Sequence, residues 1–597
     1  MWTKLPTIIA ISLSLSVLVG CNNEEPAPIT CSGDVTPIGE NFFADISDSS
    51  GIRGENFDPA PAITITINDH SAVGFVDING DGYDDIIAHN LWPNIAPDWN
   101  GQKPLEHLVF RNNGDKTFTN VTDLSGLRDV DAAFFAYGDI DNDGDTDIFA
   151  GFPLQTVGHR NSVWLNDGKG VFVQKAGSSP GSGAYAASGI LADFDGDAVL
   201  DLFIGNGHTL AAVPDDFYLG NGDGTFTNAN GRLLGLSASI TDGSVACDYD
   251  NDNDLDIFVS TYGVSYENGH NILWENDGQG NFTNVAEARG FAYQKTGNYY
   301  LETTGYGEDD EQPASGSYVG SNGFGIDCAD VNNDGFLDVV VSAISHPDSN
   351  NLSTKWSDPT VLLINQGPNG NFGFINQFLE RGLIFNEGDS DASFADFDND
   401  GRLDIALSRS KKYEGHYSKN ENKGYFGLFH QLYNAFESVG LISGINDPDD
   451  TVLCRMGDAQ SHAWADIDLD GDLDLLAGGR NDECPGLVGR PNFLFENLIG
   501  SKNPWVAYKL RGDGVHVPRD ATGARVVLTF DDGEEILTRE VKTNQGNWNP
   551  SDTRTLYFGL GARDICGAKG EVTWPDGTRV KLSAAALKPR KIHELRY

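Results

Sequence analysis

Asp139-Ile-Asp141-Asn-Asp143-Gly144-Asp145-Thr-Asp147, followed by Ile148-Phe149-Ala150, is the stretch on which the reading of this chain turns. Oxygen-bearing side chains at positions 1, 3, 5 and 9, with glycine at 6, describe a loop that wraps one hard cation. Alternate residues point inward, the glycine permits the positive φ of a sharp turn, and position 7 offers its backbone carbonyl. One copy would carry limited weight. The chain holds seven, beginning at Asp77, Asp139, Asp193, Asp248, Asp330, Asp396 and Asp466, at spacings of 62, 54, 55, 82, 66 and 70 residues.

The expected ligands, with the position-7 carbonyl residue fourth in each set, follow directly. They are Asp77, Asn79, Asp81, Tyr83 and Asp85; then Asp139, Asp141, Asp143, Asp145 and Asp147; then Asp193, Asp195, Asp197, Val199 and Asp201. The fourth set is Asp248, Asp250, Asp252, Asp254 and Asp256, and the fifth Asp330, Asn332, Asp334, Phe336 and Asp338. The last two are Asp396, Asp398, Asp400, Arg402 and Asp404, and Asp466, Asp468, Asp470, Asp472 and Asp474. Five copies keep the glycine, the fourth has Asn253, and the third has Ala198, the weakest match. Solvated acidic turns would not recur seven times with fixed oxygen positions. An EF-hand needs flanking helices and a glutamate at position 12, whereas here β-prone runs such as Ile148-Phe149 and Val339-Val340-Val341 start right after position 9. The loops therefore join strands, and up to seven calcium ions are the expected cofactor.

Across 597 residues, 39 Lys and Arg face 88 Asp and Glu, a formal charge of −49. Thirty of those acids lie in the seven loops; seven divalent ions would add +14 and leave −35. Such a field excludes nucleic acid and anionic lipid surfaces as partners.

A second phrase recurs after each acidic loop: an apolar run, an Asn/Asp-Gly turn and an aromatic run, as in Leu108-Val-Phe-Arg-Asn112-Asn-Gly114 leading to Phe118, and Ile272-Leu-Trp-Glu-Asn276-Asp-Gly278 leading to Phe282. This is a β-hairpin signature. The sixth copy, at Leu432-Tyr-Asn434, and the seventh, at Phe493-Leu-Phe-Glu-Asn497, look degenerate. Each unit then reads as four antiparallel strands. Seven such units make an all-β fold, a seven-bladed β-propeller, followed by a small β-sandwich domain. The units before the seventh end in a phrase like Phe118-Thr-Asn-Val121-Thr-Asp123, and the same phrase stands without a preceding unit at Phe43-Ala-Asp-Ile46-Ser-Asp48. The seventh unit lacks its own copy, so the front of the chain is predicted to fill the vacancy at the back.

The repeats resemble the FG-GAP repeats of integrin α-subunit propellers, with Gly323-Phe324-Gly325-Ile-Asp-Cys-Ala-Asp330 a close match. The last hundred residues, with Arg519-Asp520-Ala521-Thr-Gly523-Ala524-Arg525-Val526, Phe558-Gly559-Leu560-Gly561 and Val572-Thr-Trp574-Pro575-Asp-Gly577, resemble the ASPIC/UnbV domain of the cartilage acidic protein family. The family's central loop is altered here to Asn544-Gln545-Gly546-Asn-Trp548-Asn-Pro550-Ser551-Asp552.

Lys4, the apolar run Ile8 to Val19 and Leu18-Val19-Gly20-Cys21 resemble a bacterial lipoprotein signal, which implies lipidation at Cys21. A transmembrane anchor suits this short, serine-interrupted segment less well. Asn22 after the cysteine implies, by the same resemblance, the outer membrane or cell surface of a Gram-negative bacterium. The domains are thus 1–20 signal peptide, 21–39 flexible tether, 40–500 propeller and 501–597 sandwich. Six further cysteines fit disulfides in an exported protein: Cys454 with Cys484, Cys31 with Cys566, and Cys247 with Cys328 either paired or packed.

Propeller connectivity puts the acidic loops and the Gly turns on one face and the long variable loops on the other. His89, His159, His208, His270, His346 and His416 follow second strands, near Trp92, Trp99, Trp356, and the insert carrying Tyr299, Tyr300, Tyr306 and Glu308-Asp309-Asp310-Glu311. These suit a ligand face. No H-E-x-x-H, P-loop or dinucleotide fingerprint occurs. The expected function is non-enzymatic: adhesion, or binding of an extracellular protein or glycan, with membrane contact through the lipid only. The alternative is a polysaccharide lyase or hydrolase using His89, His208, His346 and the Glu308–Glu311 run.

Overall fold

The computed structural model describes residues 33, 35–55, 70–91, 106–152, 160–181, 186–207, 212–236, 238–262, 269–292, 299–300, 308–309, 323–344, 360–384, 386, 388–409, 425–447, 456, 459–479, 492–530, 533, 535–546 and 548–597. Among these, residues 43–497 form seven antiparallel sheets, each with four principal strands. In the first, His70–Val76, Asp85–Leu91, His107–Asn112 and Phe118–Asn120 pair in chain order. The innermost strands of the next six are Phe134–Gly138, Ala186–Ala192, Thr241–Cys247, Gly323–Ala329, Asp389–Ala395 and Ala459–Ala465. Every acidic loop joins the first two strands of its sheet, so the position-9 aspartates Asp85, Asp147, Asp201, Asp256, Asp338, Asp404 and Asp474 each open a second strand.

The burial pattern explains the sequence pattern. Inner strands such as Ala186–Ala192 are buried throughout and read as unbroken runs of small and apolar residues. Outermost strands such as Phe118–Asn120 bury one aromatic and expose the rest, which produces the single recurring phenylalanine of the second phrase.

The seventh sheet borrows its outer strand. Phe43–Asp45 pairs antiparallel with Asn492–Asn497, with Phe43 opposite Asn497 and Asp45 opposite Phe495. The first and seventh sheets also pack on each other: Phe75, Ile86 and Phe110 share one apolar cluster with Ala463, Ile467 and Leu476.

The C-terminal residues form two facing sheets. Trp505–Arg511 lies between Leu556–Gly559 and Ile592–Arg596, and Arg525–Phe530 lies between Glu535–Glu540 and Lys569–Thr573, with Arg579–Lys581 at the edge. Tyr508, Val526, Leu528, Phe558 and Trp574 fill the space between them. Residues 501–597 carry 16 Lys and Arg against 12 Asp and Glu, the opposite sign to the rest of the chain.

That difference in sign matches where the domain sits. It docks on the acidic loops. Lys509 Nζ is 3.3 Å from Asp77 Oδ2, Arg525 Nη2 is 3.3 Å from Asp248 Oδ2, Tyr557 donates to Asp466 Oδ2 at 3.0 Å, and Arg519 Nε is 3.8 Å from Asp139 Oδ2. The altered central loop goes further and reaches the innermost strands of all seven sheets. Phe75 N–H donates to Ser551 O at 2.8 Å, Tyr137 N–H to Asn544 Oδ1 at 3.2 Å, and Asn549 Nδ2 to Gly189 O at 2.6 Å. Gly546 N–H donates to Ile326 O at 2.9 Å and Trp464 N–H to Asp552 Oδ1 at 2.8 Å. A Cβ at Gly243 would stand 3.0 Å from Gly546 O, and one at Gly546 would stand 2.4 Å from Asp391 Oδ1, so the loop also lies against the fourth and sixth inner strands. This loop takes up backbone donors and acceptors of inner strands that would otherwise lack partners.

Cys247 and Cys328, at the ends of the fourth and fifth inner strands, form a disulfide with a Cα–Cα distance of 6.8 Å. Cys566 is disulfide-bonded as well. Cys21, Cys31, Cys454 and Cys484 lie outside the described residues. Among the described residues no helix is long and apolar enough to cross a membrane.

Candidate metal centres

One hydrogen-bond skeleton recurs in all seven loops. The position-1 carboxylate accepts the backbone N–H groups of positions 5 and 6: in the second loop Asp139 takes Asp143 and Gly144, both at 2.9 Å. The same pair of bonds forms at Asp77, Asp193, Asp248, Asp330, Asp396 and Asp466. The position-5 carboxylate accepts the N–H of position 7, as from Asp145 to Asp143 Oδ1 at 3.0 Å. Position 9 is a staple. One oxygen of Asp147 accepts Ile140 N–H at 3.0 Å and the other accepts Asn166 N–H of the third strand at 2.8 Å.

Two left-handed residues bend each loop. Position 6 is one, with φ of +105° at Gly144, +66° at Ala198 and +75° at Asn253. Position 4 is the other: Gly80, Asn142, Gly196, Asn251, Asn333, Asn399 and Leu469 all have φ between +55° and +78°. The sequence reading assigned only position 6, although Gly or Asn at six of seven position-4 sites carried the signal. Asn251, Asn333 and Asn399 also donate to the position-6 carbonyls Gly335, Gly401 and Gly471 of the following loops, linking neighbours around the face.

The asparagine of the second phrase does more than turn a hairpin. Asn166 Nδ2 donates to Thr146 O of its own loop and to Ile78 O of the preceding one. Asn276, Asn365 and Asn497 reach Phe194, Tyr249 and Phe397 of preceding loops in the same way. In the sixth copy Gln431, not Asn434 as the sequence pattern suggests, occupies this place and donates to Val331 O at 2.9 Å. The seventh, read as degenerate, is complete. In the third sheet the position is Gly220, where a Cβ would lie 2.2 Å from Leu200 O.

The donor set fits a hard cation. Ligand oxygens of Asp139, Asp141 and Asp147 lie within 4.8 Å of one another, as do those of Asp193, Asp195 and Asp197, and of Asp248, Asp250 and Asp256. The position-3 oxygens Asp141 Oδ1, Asp195 Oδ1 and Asp250 Oδ1 are buried without a hydrogen-bond donor, as are Asp254 Oδ1 and Asp256 Oδ2. Buried carboxylate oxygens are costly unless a donor or cation meets them. Burial, with Asp520 and Asp143 nearby, pushes Asp139 up to about 7; burial with Asp252 and Asp248 pushes Asp254 up to about 8.

The sixth loop differs. Its Asp396, Asp398, Asp400 and Asp404 are all buried, and His430 of the third strand enters it, with Nε2 3.4 Å from Asp398 Oδ2 and 3.6 Å from Asp400 Oδ2. Arg402, at position 7, pairs with Asp400 Oδ2.

On the opposite side, His89 is not available to a ligand. It is 2% exposed, with Nδ1 2.8 Å from His107 Nδ1 and its ring edge-on to Phe135. Its strand places it opposite His107, which bonds Val130 O at 2.8 Å, so both imidazoles pack in the core. His270 is half-buried. Tyr299–Tyr300 pairs with Glu308–Asp309 in a two-stranded sheet. His159, His208, His346, His416, Trp92, Trp99, Trp356, Tyr306, Asp310 and Glu311 lie outside the described residues.

Repeated sheets with acidic loops, capped by a two-sheet domain, define a class that comparison places more closely. Residues 514–596 match the family model described as ASPIC and UnbV, and the C-terminal domain is one of these. The chain is similar to cartilage acidic protein 1 of Xenopus tropicalis, 25% identical over 337 residues, and of Mus musculus, 25% identical over 341 residues. Each match covers 55% of this chain and 42% of the relative, so the chain spans less than half the length of the curated relatives it matches. Among solved structures, rhamnogalacturonan lyase YesW is 12% identical with a TM-score of 0.34, over 74% of each chain. A Bacillus licheniformis rhamnogalacturonan lyase is 12% identical with a TM-score of 0.28, over 90% of this chain and 92% of that one. At those scores neither likeness carries an argument.

Proposed function

We propose that this chain is a closed seven-bladed β-propeller, stabilised by calcium in its acidic loops, that binds an extracellular protein or glycan at the bacterial cell surface. The observation that carries the calcium assignment is the identical loop skeleton with donorless position-3 oxygens at Asp141, Asp195 and Asp250. Strand exchange between Phe43–Asp45 and Asn492–Asn497 supports closure of the ring. Because the cationic C-terminal domain covers the calcium face, ligand contact is assigned to the opposite face, at the far ends of the second strands. Lipidation at Cys21 would tether the molecule to the membrane, with no nucleic-acid partner.

Calcium here is structural. When bound it would offset two negative charges per loop, while Asp139 and its equivalents hold the backbone turn and Asp147 and its equivalents fix loop to hairpin. The test is an array of extracellular glycans and matrix proteins probed with the full chain in calcium, with bound glycans then checked for cleavage. Binding without cleavage is expected. Cleavage of any bound glycan, or no binding to either class, would contradict the reading.

A further inference from the structure

The sixth loop carries a feature that the other six lack. His430 is 8% exposed, and its Nε2 has no hydrogen-bond partner although it points between two buried carboxylates. Asp398 Oδ1 and Asp400 Oδ1 are each occupied by a backbone N–H, from Asp400 at 3.2 Å and Arg402 at 2.8 Å. Their Oδ2 atoms face the imidazole at 3.4 and 3.6 Å, and Asp400 Oδ2 also accepts from the Arg402 guanidinium. Ligands bound at about 2.1 Å to a tetrahedral ion stand roughly 3.4 Å apart. These separations suit three ligands around one such ion, and Nε2 makes no hydrogen bond across them.

The far side of the ring is also dressed for this role. His430 Nδ1 lies 3.4 Å from Glu437 Oε1, on the neighbouring outer strand. A carboxylate behind the second nitrogen fixes the tautomer that leaves Nε2 free to ligate. Arg402, paired with Asp400, is the only cation at position 7 among the seven loops, and it reduces the negative charge that a hard, oxygen-seeking ion needs. A nitrogen ligand and lowered charge favour a borderline transition ion over calcium.

We propose that Asp398, Asp400 and His430 form a mixed nitrogen–oxygen site for a divalent transition cation of the zinc class, distinct from the all-oxygen calcium loops. The inference deepens the calcium reading of the other six loops, but it is measured separately from it. The full-length protein is equilibrated with zinc in millimolar calcium, desalted, and both metals are counted in the same sample. The expected result is one zinc per chain in the wild type and none in His430→Gln, with calcium content unchanged. Cobalt loaded in place of zinc should give visible d–d bands that His430→Gln abolishes.

Glu437→Gln, on a half-exposed side chain, leaves the ligands intact and should weaken zinc about 10–100-fold. It decides the question if His430→Gln fails to fold. Absence of zinc from the wild type, or equal zinc in wild type and both variants, would overturn the proposal and leave His430 as a counter-ion to the loop. Loss of the calcium count alone would refute the calcium assignment and not this one.

Discussion

Asn112 Nδ2 donates to the backbone carbonyl of Ile467 at 2.8 Å, across 355 residues of chain. Asn112 ends the third strand of the first sheet, and Ile467 is position 2 of the seventh acidic loop. The same side chain donates to Asp84 O at 3.1 Å and accepts from Gly114 N–H at 2.8 Å, so one amide ties a hairpin, its own loop and the other end of the repeat array.

Replacing it leaves buried carbonyls without a donor, at about 1–3 kcal/mol. Asn112→Ala should lower stability by about that amount in chemical denaturation, while Asn113→Ala in the same turn, on an exposed side chain, stays within about 0.5 kcal/mol. Equal effects would show that the link between first and last sheets is without weight. Deleting residues 40–52 removes the borrowed strand altogether, and large destabilisation or aggregation is expected; a deletion that melts like the full chain would contradict strand exchange as a stabilising device.

Docking of the C-terminal domain depends on buried ion pairs. Arg525 is buried, with Nη2 2.7 Å from Glu540 Oε2 and 3.3 Å from Asp248 Oδ2. Arg525→Met strands two buried carboxylates and should cost about 3–5 kcal/mol. Arg525→Met combined with Glu540→Met should recover much of that loss. A double variant as unstable as the sum of its singles would show that the two side chains act independently.

Stability without metal should depend on pH with a definite sign. Burial raises Asp147 and Asp201 to about 8, and burial with a neighbouring aspartate raises Asp330 and Asp466 to about 7, against 3.8 unfolded. The folded chain then binds more protons than the unfolded one, so stability is lost as pH rises through these values. Burial lowers His107 to about 4, and that contribution acts only below about 6.5. In chelator, the melting temperature should therefore fall between pH 6.5 and 8. In excess calcium, which replaces the protons, the fall should vanish. A melt in chelator that rises over this interval would contradict the assignment of buried, mutually repelling loop carboxylates.

How much of this was legible follows from the range of each interaction. Asp139, Asp141, Asp143 and Asp147 announce their loop because the bonds that shape its turn, from Asp143 and Gly144 to Asp139 and from Ile140 to Asp147, lie within nine residues. The strand exchange of Phe43–Asp45 was legible because a phrase was missing at one end and spare at the other. The latch formed by Asn112 was not, since its partner is distant in sequence and an Asn-Gly turn already explained the residue. His89 was misplaced for a similar reason: its neighbour His107 becomes visible only in strand register. Nothing in the pattern around Arg519, Arg525 or Asn549 says which face of the sheets they meet. That docking rests on charge opposition and on backbone groups of inner strands, neither of which has a local signature.

The central claim is that the acidic loops hold calcium and that calcium holds the fold. Each site at a hundredfold excess over its dissociation constant contributes about 2.7 kcal/mol. Thermal unfolding of the full chain, in millimolar calcium and again after chelation with metal loss confirmed, tests it most directly. The account predicts one transition that drops by many degrees on chelation and returns when calcium is restored. An unchanged melting temperature in the metal-free protein would contradict it.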